Sequence, residues 1–194
     1  MALRDDWGKP LELGCLSRSI DACLYASRAI DLTSLVVDAI DELERVIGAA
    51  YTPGAGLSAS GGTRGSLPNH VAASSALLTA FGVSGRLPYS MLAEELMQVA
   101  RRTSWDERAG CFVDAGRATA ELFQVNCAAA RVLCELATLH RDPGYVAAAV
   151  IDRDALYSQD AARILASQRD TARSAGVDPS LYGLPLLQWL ELPA

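Results

Sequence analysis

The segment WDERAGCFVD, Trp105–Asp114, places three carboxylates beside an indole and a thiol within ten residues. The carboxylates belong to Asp106, Glu107 and Asp114. Two carboxylates can serve as acid and base in glycoside hydrolysis, and Trp105 could contact a ligand. However, carboxylates that are close in sequence do not necessarily face each other across a substrate, as an acid–base pair must. The favoured interpretation is a structural corner, in which the aromatic ring packs under the loop and Gly110 permits a tight turn.

Metal and cofactor chemistry is not predicted, because the spacings that it needs are missing. The chain has no His-x-x-x-His, no cysteines clustered with histidine and no EF-hand spacing. The glycine-rich stretch Gly54–Gly65 lacks the Lys-Ser/Thr of a phosphate loop and does not fit Gly-x-Gly-x-x-Gly. We therefore expect neither a metal site nor a cofactor.

Composition restricts the partners and the compartment. The chain has 194 residues with 17 basic and 23 acidic side chains, so binding to nucleic acid is not expected. The N-terminal stretch lacks the apolar core of a signal peptide, and no run of about 18 apolar residues predicts a membrane span. Five cysteines without a Cys-x-x-Cys pair indicate reduced thiols and predict a cytoplasmic protein. Cys127 and Cys134 lie seven residues apart and are expected to be buried.

Helical periodicity covers almost the whole chain and predicts an all-α fold. Apolar residues from Val36 to Ile47 step by four, three and four positions, and Gly48 follows as a stop. The same reasoning predicts about seven helices, around 16–24, 36–47, 68–82, 88–102, 119–140, 157–168 and 179–190. His140 should favour the helix end through the dipole, and Pro185 should kink or interrupt the last helix.

An internal repeat links the opening segment to an earlier loop. YTPGAGL (Tyr51–Leu57) and WDERAGC (Trp105–Cys111) each contain an aromatic residue, three residues and Ala-Gly, at an offset of 54. A third Ala-Gly follows in SAGV, Ser174–Val177, and Asn69 corresponds to Asn126 at an offset of 57. The repeat divides a single domain into hairpins 14–66, 67–118 and 119–177, followed by a terminal helix 178–191.

The length of the repeat bears on the architecture. Helical solenoid repeats are usually about 34 to 47 residues long, whereas this unit has about 55 residues and a substantial loop. Such a unit suits an α/α toroid, in which buried inner helices are surrounded by amphipathic outer helices. The helix at 119–140 is apolar on two faces and would be inner, and the helix at 36–47 would be outer.

Two groups of α/α-toroid (six-hairpin) proteins resemble parts of this chain. WDERAGCFVD resembles the Trp-Asp-x-x-x-Gly-Gly-Phe-x-Asp type of loop in these proteins. The N-acylglucosamine and cellobiose 2-epimerases are the more distant of the two groups, and the second group is the closer match. Three later stretches resemble, in order and spacing, the C-terminal toroid of thioredoxin-domain proteins related to spermatogenesis-associated proteins. These stretches are NCAAARVLCELATLHRDPGY, DAARILAS and LYGLPLLQWL. The similarity extends from Trp105 to Leu190, and the first hundred residues match only as generic hairpins.

The resemblance implies a ring of about six hairpins, of which this chain has half. It has no thioredoxin domain and no Cys-x-x-Cys. We therefore expect either a half-toroid that pairs with a second copy or a partner protein, or part of a longer original protein. An open half-ring exposes apolar surface that usually marks an interface, and a homodimer is the simplest assembly. The epimerases use two histidines for proton transfer, and here His70 could point from a first helical turn into a cavity.

Three function classes remain open. The first is a helical toroid-type module of uncharacterised role that assembles with itself or with a partner. The second is a carbohydrate-active enzyme, an epimerase or a hydrolase, with its site completed across an interface. The third is a small-molecule binding protein that uses the inner helices. For the ligand-binding classes, the residues from loops and helix starts are the candidates: Arg64, His70, Trp105, Asp106 and Asn126.

Overall fold

A computed structural model describes residues 13–30, 33–58, 65–174 and 177–192. These residues form eight α-helices and two short antiparallel strand pairs, which confirms the predicted all-α class and adds one short helix to the seven expected. The helices are α1 Leu13–Ile30, α2 Thr33–Ala50, α3 Leu67–Ser84, α4 Leu87–Ser104, α5 Thr119–Leu139, α6 Pro143–Ala148, α7 Tyr157–Gln168 and α8 Ser180–Glu191. The strands are β1 Tyr51–Thr52, β2 Gly56–Leu57, β3 Trp105–Asp106 and β4 Cys111–Phe112.

Local signals account for several helix ends. Helices α3 and α4 each have proline in the first turn, where the missing N–H costs no helical hydrogen bond. Asp142 caps α6 by accepting hydrogen bonds from the backbone N–H groups of Gly144 (2.7 Å) and Tyr145 (3.3 Å). Gly85 ends α3 with a φ of 70°, and its N–H donates to the carbonyl of Phe81.

Pro185 was expected to kink or interrupt the last helix, and the structure shows no interruption. Helix α8 continues through this proline, which is buried inside the helix. Proline removes a single backbone donor, whereas two side chains fasten α8 to α7: the Tyr182 hydroxyl donates to the Leu165 carbonyl at 3.1 Å, and the Trp189 indole donates to the Ser158 carbonyl at 3.2 Å. Tertiary packing therefore outweighs the local cost of the proline.

The helices form two layers. Helix α1 packs along α3, α3 contacts α5, and α5 contacts α8, so these four helices form one continuous inner row. Helix α2 packs on α1, α4 packs on α3, and α7 packs on α5. Alanine is frequent where the inner helices approach one another, and Ala73, Ala76, Ala129 and Ala130 are fully buried.

Helix α5 is the one described helix whose length and composition would allow it to cross a membrane. Its mean hydropathy reaches 1.3, and 56% of the apolar window is buried inside the molecule. The helix contacts α3, α7 and α8, so its apolar character serves the core of this structure.

The two loops matched in sequence are built alike. In the first, Tyr51 pairs with Leu57 and Thr52 with Gly56. In the second, Trp105 pairs with Phe112 and Asp106 with Cys111. Each β-hairpin follows the second helix of a helical hairpin, and we call these two elements the first and second corners.

A further pair of hydrogen bonds closes the two corners in the same way. The N–H of Ser58 donates to the carbonyl of Ala50 at 2.8 Å, and the N–H of Val113 donates to the carbonyl of Ser104 at 2.7 Å. The second corner has one more residue in its turn.

The third Ala-Gly, at positions 175–176, lies outside the described residues, and the chain before it forms a 3₁₀ helix at Thr171–Arg173.

Candidate functional site

Trp105 lies in the second corner between aromatic and cationic neighbours. Its ring meets Phe112 edge-on, with the ring centroids 5.1 Å apart. The guanidinium carbons of Arg101 and Arg163 lie 5.3 and 5.2 Å from its centroid. Aromatic edge contacts and cation–π contacts each contribute about 0.5 to 1.5 kcal/mol. The indole therefore joins the corner to both α4 and α7.

Asp106 forms the turn of the second corner. Its Oδ1 accepts hydrogen bonds from the backbone N–H groups of Arg108 (2.8 Å) and Ala109 (3.0 Å). The N–H of Gly110, which has a φ of 66°, donates to the carbonyl of Asp106 at 2.8 Å. The carboxylate thus replaces a backbone turn bond, which is a typical structural use of aspartate.

Glu107 pairs with the arginines that flank the indole. Its carboxylate lies 2.8 Å from Nη1 of Arg163 and 3.4 Å from Nη2 of Arg101, and its side chain is 65% exposed. The hydrogen bond from Arg163 is the largest cause that lowers the pKa of Glu107. A carboxyl with a lowered pKa stays ionised near neutral pH, so Glu107 is not suited to the role of general acid.

Asp114 belongs to a separate ion pair on the connection to α5. Its carboxylate lies 2.8 Å from Nε of Arg117, whose Nη1 lies 3.3 Å from Glu121. The three carboxylates of the opening segment therefore have separate partners. Asp106 bonds to the backbone of its own turn, Glu107 pairs with Arg163 and Arg101, and Asp114 pairs with Arg117.

His70 lies in the first turn of α3 and bonds to the first corner. It is 1% exposed, and its Nε2 accepts a hydrogen bond from the N–H of Leu57 at 3.1 Å. This acceptor role leaves the proton on Nδ1, which donates to the carbonyl of Ser66 at 3.0 Å. Both ring nitrogens are engaged by the backbone, so His70 fixes β2 against the start of α3.

Asn126 performs the equivalent task in the second corner. Its Oδ1 accepts from the N–H of Phe112 at 2.9 Å, and its Nδ2 donates to the carbonyls of Phe112 and Leu122. The structural counterpart of Asn126 is therefore His70. The correspondence with Asn69 is off by one residue, because Asn69 instead accepts from the N–H of Gly14 at 3.1 Å. Arg64, the remaining candidate, lies outside the described residues.

A cluster that the sequence did not predict surrounds Glu94. This side chain is fully buried on α4. It accepts hydrogen bonds from Nε2 of His140 (3.1 Å), from the hydroxyl of Tyr157 (3.1 Å) and from the backbone N–H groups of Ile151 and Asp152 (3.2 Å each). Four donors from distant parts of the chain compensate the burial of this carboxylate.

The available signal for this cluster was a glutamate within the buried stretch that contains Ala93, Leu96 and Met97. Its partner His140 is 46 residues away in sequence. Sequence reasoning assigned His140 to the end of a helix, and the structure confirms that position at the C-terminus of α5. The ring itself bonds to Glu94 instead of to free helix carbonyls.

Two cavities border these elements. The larger, about 940 Å³, is lined only by α1, α3, α5, α8 and their ends among the described residues, and we call it the inner groove. The smaller, about 250 Å³, lies between α4 and α7 and beneath the segment 152–157 that precedes and begins α7. We call it the α4–α7 cleft. Neither the first corner nor Asn126 contributes to the lining of either cavity.

The cysteines form no metal site in the part of the chain that the structure describes. No group of three histidine, cysteine or acidic side chains there has metal-binding geometry. Burial raises the pKa of Cys127 and of Cys134 to about 12, so both remain protonated thiols near neutral pH.

Comparisons with protein-family models, with curated proteins and with solved structures find no match to this chain.

Proposed function

We propose that this chain is a helical module of the α/α-toroid type that assembles with a second copy of itself through the exposed face of α8. One observation carries the proposal: α8 presents three leucines to solvent, with Leu184, Leu187 and Leu190 exposed by 53%, 56% and 64%. Contiguous apolar surface of this kind usually marks a site of association.

The layered packing supports a partial toroid. The inner row α1, α3, α5 and α8 is backed by α2, α4 and α7, as the alternation of inner and outer helices in a toroid requires. The two corners have the same construction and follow successive helical hairpins. A complete toroid has about six hairpins, so a second copy would supply the missing part of a ring.

The three leucines share one face of α8. They are spaced by three residues, so they lie within about 120° of one another around the helix axis. The opposite face packs into the protein through Pro185 and Trp189. Glu191 is the single charged residue of α8, so the exposed face carries little charge that would have to be desolvated on association.

A second copy is the occupant that this face fits best. A two-fold axis brings the same patch together from both subunits, and an apolar, nearly uncharged patch is complementary to itself. Burial of the exposed half of each leucine contributes about 1 kcal/mol, and six leucines would meet across the axis.

Sedimentation velocity over a concentration series tests the assembly. We expect the wild type to shift from monomer to dimer as its concentration rises. The variant Leu184→Gln/Leu187→Gln/Leu190→Gln should remain a monomer, because these side chains make the proposed contact. A matched control is Val37→Gln, which alters an apolar residue of α2 that is 55% exposed but lies outside α8.

Two results would contradict the proposed assembly. One is a wild-type chain that stays monomeric at the highest concentration. The other is a dimer whose affinity the triple glutamine variant leaves unchanged.

The carbohydrate-active alternative has less support in the geometry. Asp106 is engaged in a turn, Glu107 in ion pairs and Asp114 with Arg117, so no acid–base pair is assembled at the second corner. A paired-histidine mechanism also lacks support, because His70 is bonded to the backbone while His140 is bonded to Glu94.

A further inference from the structure

The α4–α7 cleft is a second concave site, separate from the inner groove and from the exposed face of α8. Its floor consists of Met97, Phe112 and Leu133, each at most 3% exposed. Its volume of about 250 Å³ equals the share of about eight liquid waters, which suits a small ligand. Dry apolar floors with a few polar groups at the edges are typical of small-molecule sites.

The roof of the cleft is fixed in place by the buried Glu94. The backbone N–H groups of Ile151 and Asp152 both donate to its carboxylate, and Tyr157 donates to it from the start of α7. A side chain that is fully buried thus holds the segment that covers the cleft. The cavity is therefore formed before any ligand binds, which lowers the cost of binding.

One end of the cleft is acidic. Asp152 and Asp154 both line it, and the structure shows no ion pair for either carboxylate with the described basic side chains. The one hydrogen bond between the two residues runs from the N–H of Asp154 to Oδ1 of Asp152, at 3.0 Å. Carboxylates in this situation attract a cationic group such as an ammonium.

The other end carries two guanidinium groups. Arg101 is bonded to the buried Asp160 at 2.8 Å, which fixes its orientation. Arg163 pairs with Glu107, which does not line the cleft and is 65% exposed. Nη2 of Arg163 also donates to the backbone carbonyl of Glu107 at 2.6 Å. Exposed ion pairs contribute little stability, so a ligand carboxylate can compete with the Glu107 carboxylate for Nη1 of Arg163.

The two ends are separated by about two helical turns. Glu94 holds Asp152, and Arg101 follows Glu94 by seven residues on the same helix. Seven residues of an α-helix span about 10 Å. A ligand that reaches both ends therefore needs opposite charges at the two ends of a short chain.

We propose that the α4–α7 cleft binds a small zwitterion whose ammonium and carboxylate groups lie at opposite ends of the molecule, such as an ω-amino acid or a small dipeptide. The ammonium faces Asp152 and Asp154, the carboxylate faces Arg163, and the carbon chain covers the apolar floor. A sugar would leave the apolar floor uncovered, and a simple amine or acid would engage one end only.

Isothermal titration calorimetry with 6-aminohexanoate tests this proposal on the full chain. Hexylamine and hexanoate are matched probes that keep the carbon chain and one charge each. We expect 6-aminohexanoate to bind at least about tenfold more tightly than either, because it makes charge-assisted contacts at both ends. Equal binding of hexylamine, or no binding of 6-aminohexanoate, would overturn the proposal.

Three variants locate the site. Asp152→Asn/Asp154→Asn should weaken binding of 6-aminohexanoate at least about tenfold, because it removes the anionic end. Glu107→Gln should tighten binding, because it removes the anionic competitor for Nη1 of Arg163, and a purely structural role for Glu107 would not produce this gain. Asp38→Asn/Asp41→Asn, on the exposed surface of α2, is the charge-matched control for the double variant and should leave the affinity unchanged. Unchanged affinity in the double variant, with a folded protein by circular dichroism, would contradict the assignment.

Discussion

His70 and Asn126 show that one structural task can be performed by different side chains. Each is buried near the start of an inner helix, and each accepts a hydrogen bond from the N–H of the strand residue that closes its corner. An unpaired buried N–H costs about 1 to 3 kcal/mol, so either corner needs an acceptor at this place. The position requires a hydrogen-bond acceptor that can reach the strand N–H, and both the imidazole of His70 and the carboxamide of Asn126 provide one.

This equivalence predicts the effect of two substitutions at position 70. His70→Ala leaves the N–H of Leu57 without its acceptor and opens a cavity, so we expect the free energy of unfolding to fall by about 2 to 4 kcal/mol. His70→Asn should recover part of this loss, because Asn126 fills the same role in the second corner. Urea unfolding followed by circular dichroism measures both. An alanine variant as stable as the wild type would contradict the structural role of His70.

At the scale of an element, the two corners differ in how tightly their glycines are enclosed. Both have a positive φ, 80° at Gly56 and 66° at Gly110. A Cβ atom on Gly56 would lie 2.5 Å from Nε2 of His70 and 2.9 Å from Cγ1 of Val99. On Gly110, the nearest atom would be Cβ of Arg163, at 3.4 Å. The first corner is therefore much less tolerant of a side chain than the second.

The matched substitutions Gly56→Ala and Gly110→Ala should accordingly differ in cost. Gly110→Ala adds mainly the cost of a left-handed backbone, about 1 to 2 kcal/mol. Gly56→Ala adds the displacement of a buried, doubly bonded histidine, so we expect about 3 kcal/mol or more. Thermal unfolding of both variants measures this difference, and the midpoint of Gly56→Ala should be the lower one. Equal midpoints would be inconsistent with the close contact at His70.

Helix α5 gives the protein a dependence on alkaline pH. Burial raises the pKa of Cys127 and of Cys134 to about 12, compared with an ordinary value near 9. The unfolded chain therefore loses these protons at a lower pH than the folded chain does. The stabilisation is complete below about pH 9 and declines as the pH rises towards 12.

We therefore expect the free energy of unfolding to fall between about pH 9 and pH 11. The variant Cys127→Ala/Cys134→Ala should be less stable at pH 8 but should show a shallower decline. Urea titrations at several pH values, under a reducing agent, measure both slopes. Burial also raises the pKa of Tyr51, to about 12, and the pKa of Tyr89, Tyr145 and Tyr157, so these tyrosines leave a residual slope above about pH 10. A double variant that keeps the full wild-type slope would exclude the two thiols as its source.

At the scale of the whole molecule, the proposed dimer through the exposed leucines of α8 would couple assembly to stability. A folded dimer is favoured by mass action, so the midpoint of thermal unfolding should rise with protein concentration. Leu184→Gln/Leu187→Gln/Leu190→Gln should abolish this dependence and leave the midpoint of the dilute wild type nearly unchanged, since these side chains are already more than half exposed. Differential scanning calorimetry at low and high protein concentration measures the midpoint of each variant. A wild-type midpoint that does not move would count against the dimer.

The periodic patterns predicted much of this fold because helix formation depends on near neighbours. The first-turn prolines of α3 and α4, the left-handed Gly85 and the Asp142 cap all act within one helical turn. The shared Ala-Gly pattern located two corners that turned out to be real β-hairpins. Pro185 is the instructive exception, because contacts from α7 to α8 lie outside any local window.

The candidate site was less predictable, because polar side chains converge through packing. Trp105 was correctly placed at a corner, yet the two arginines beside it come from positions 101 and 163. The acidic residues of the opening segment looked like catalytic groups, and nothing in their spacing distinguished a turn or an ion pair from an active site.

By itself, the sequence determined the all-α class, the approximate helix bounds and the two corners, because each follows from interactions over one or two helical turns. The tertiary structure alone decided that Glu94 meets His140 and Tyr157, that His70 corresponds to Asn126, and that a cleft forms between α4 and α7. These contacts depend on how whole helices pack, and helix packing is set by many side chains at once and not by any local pattern.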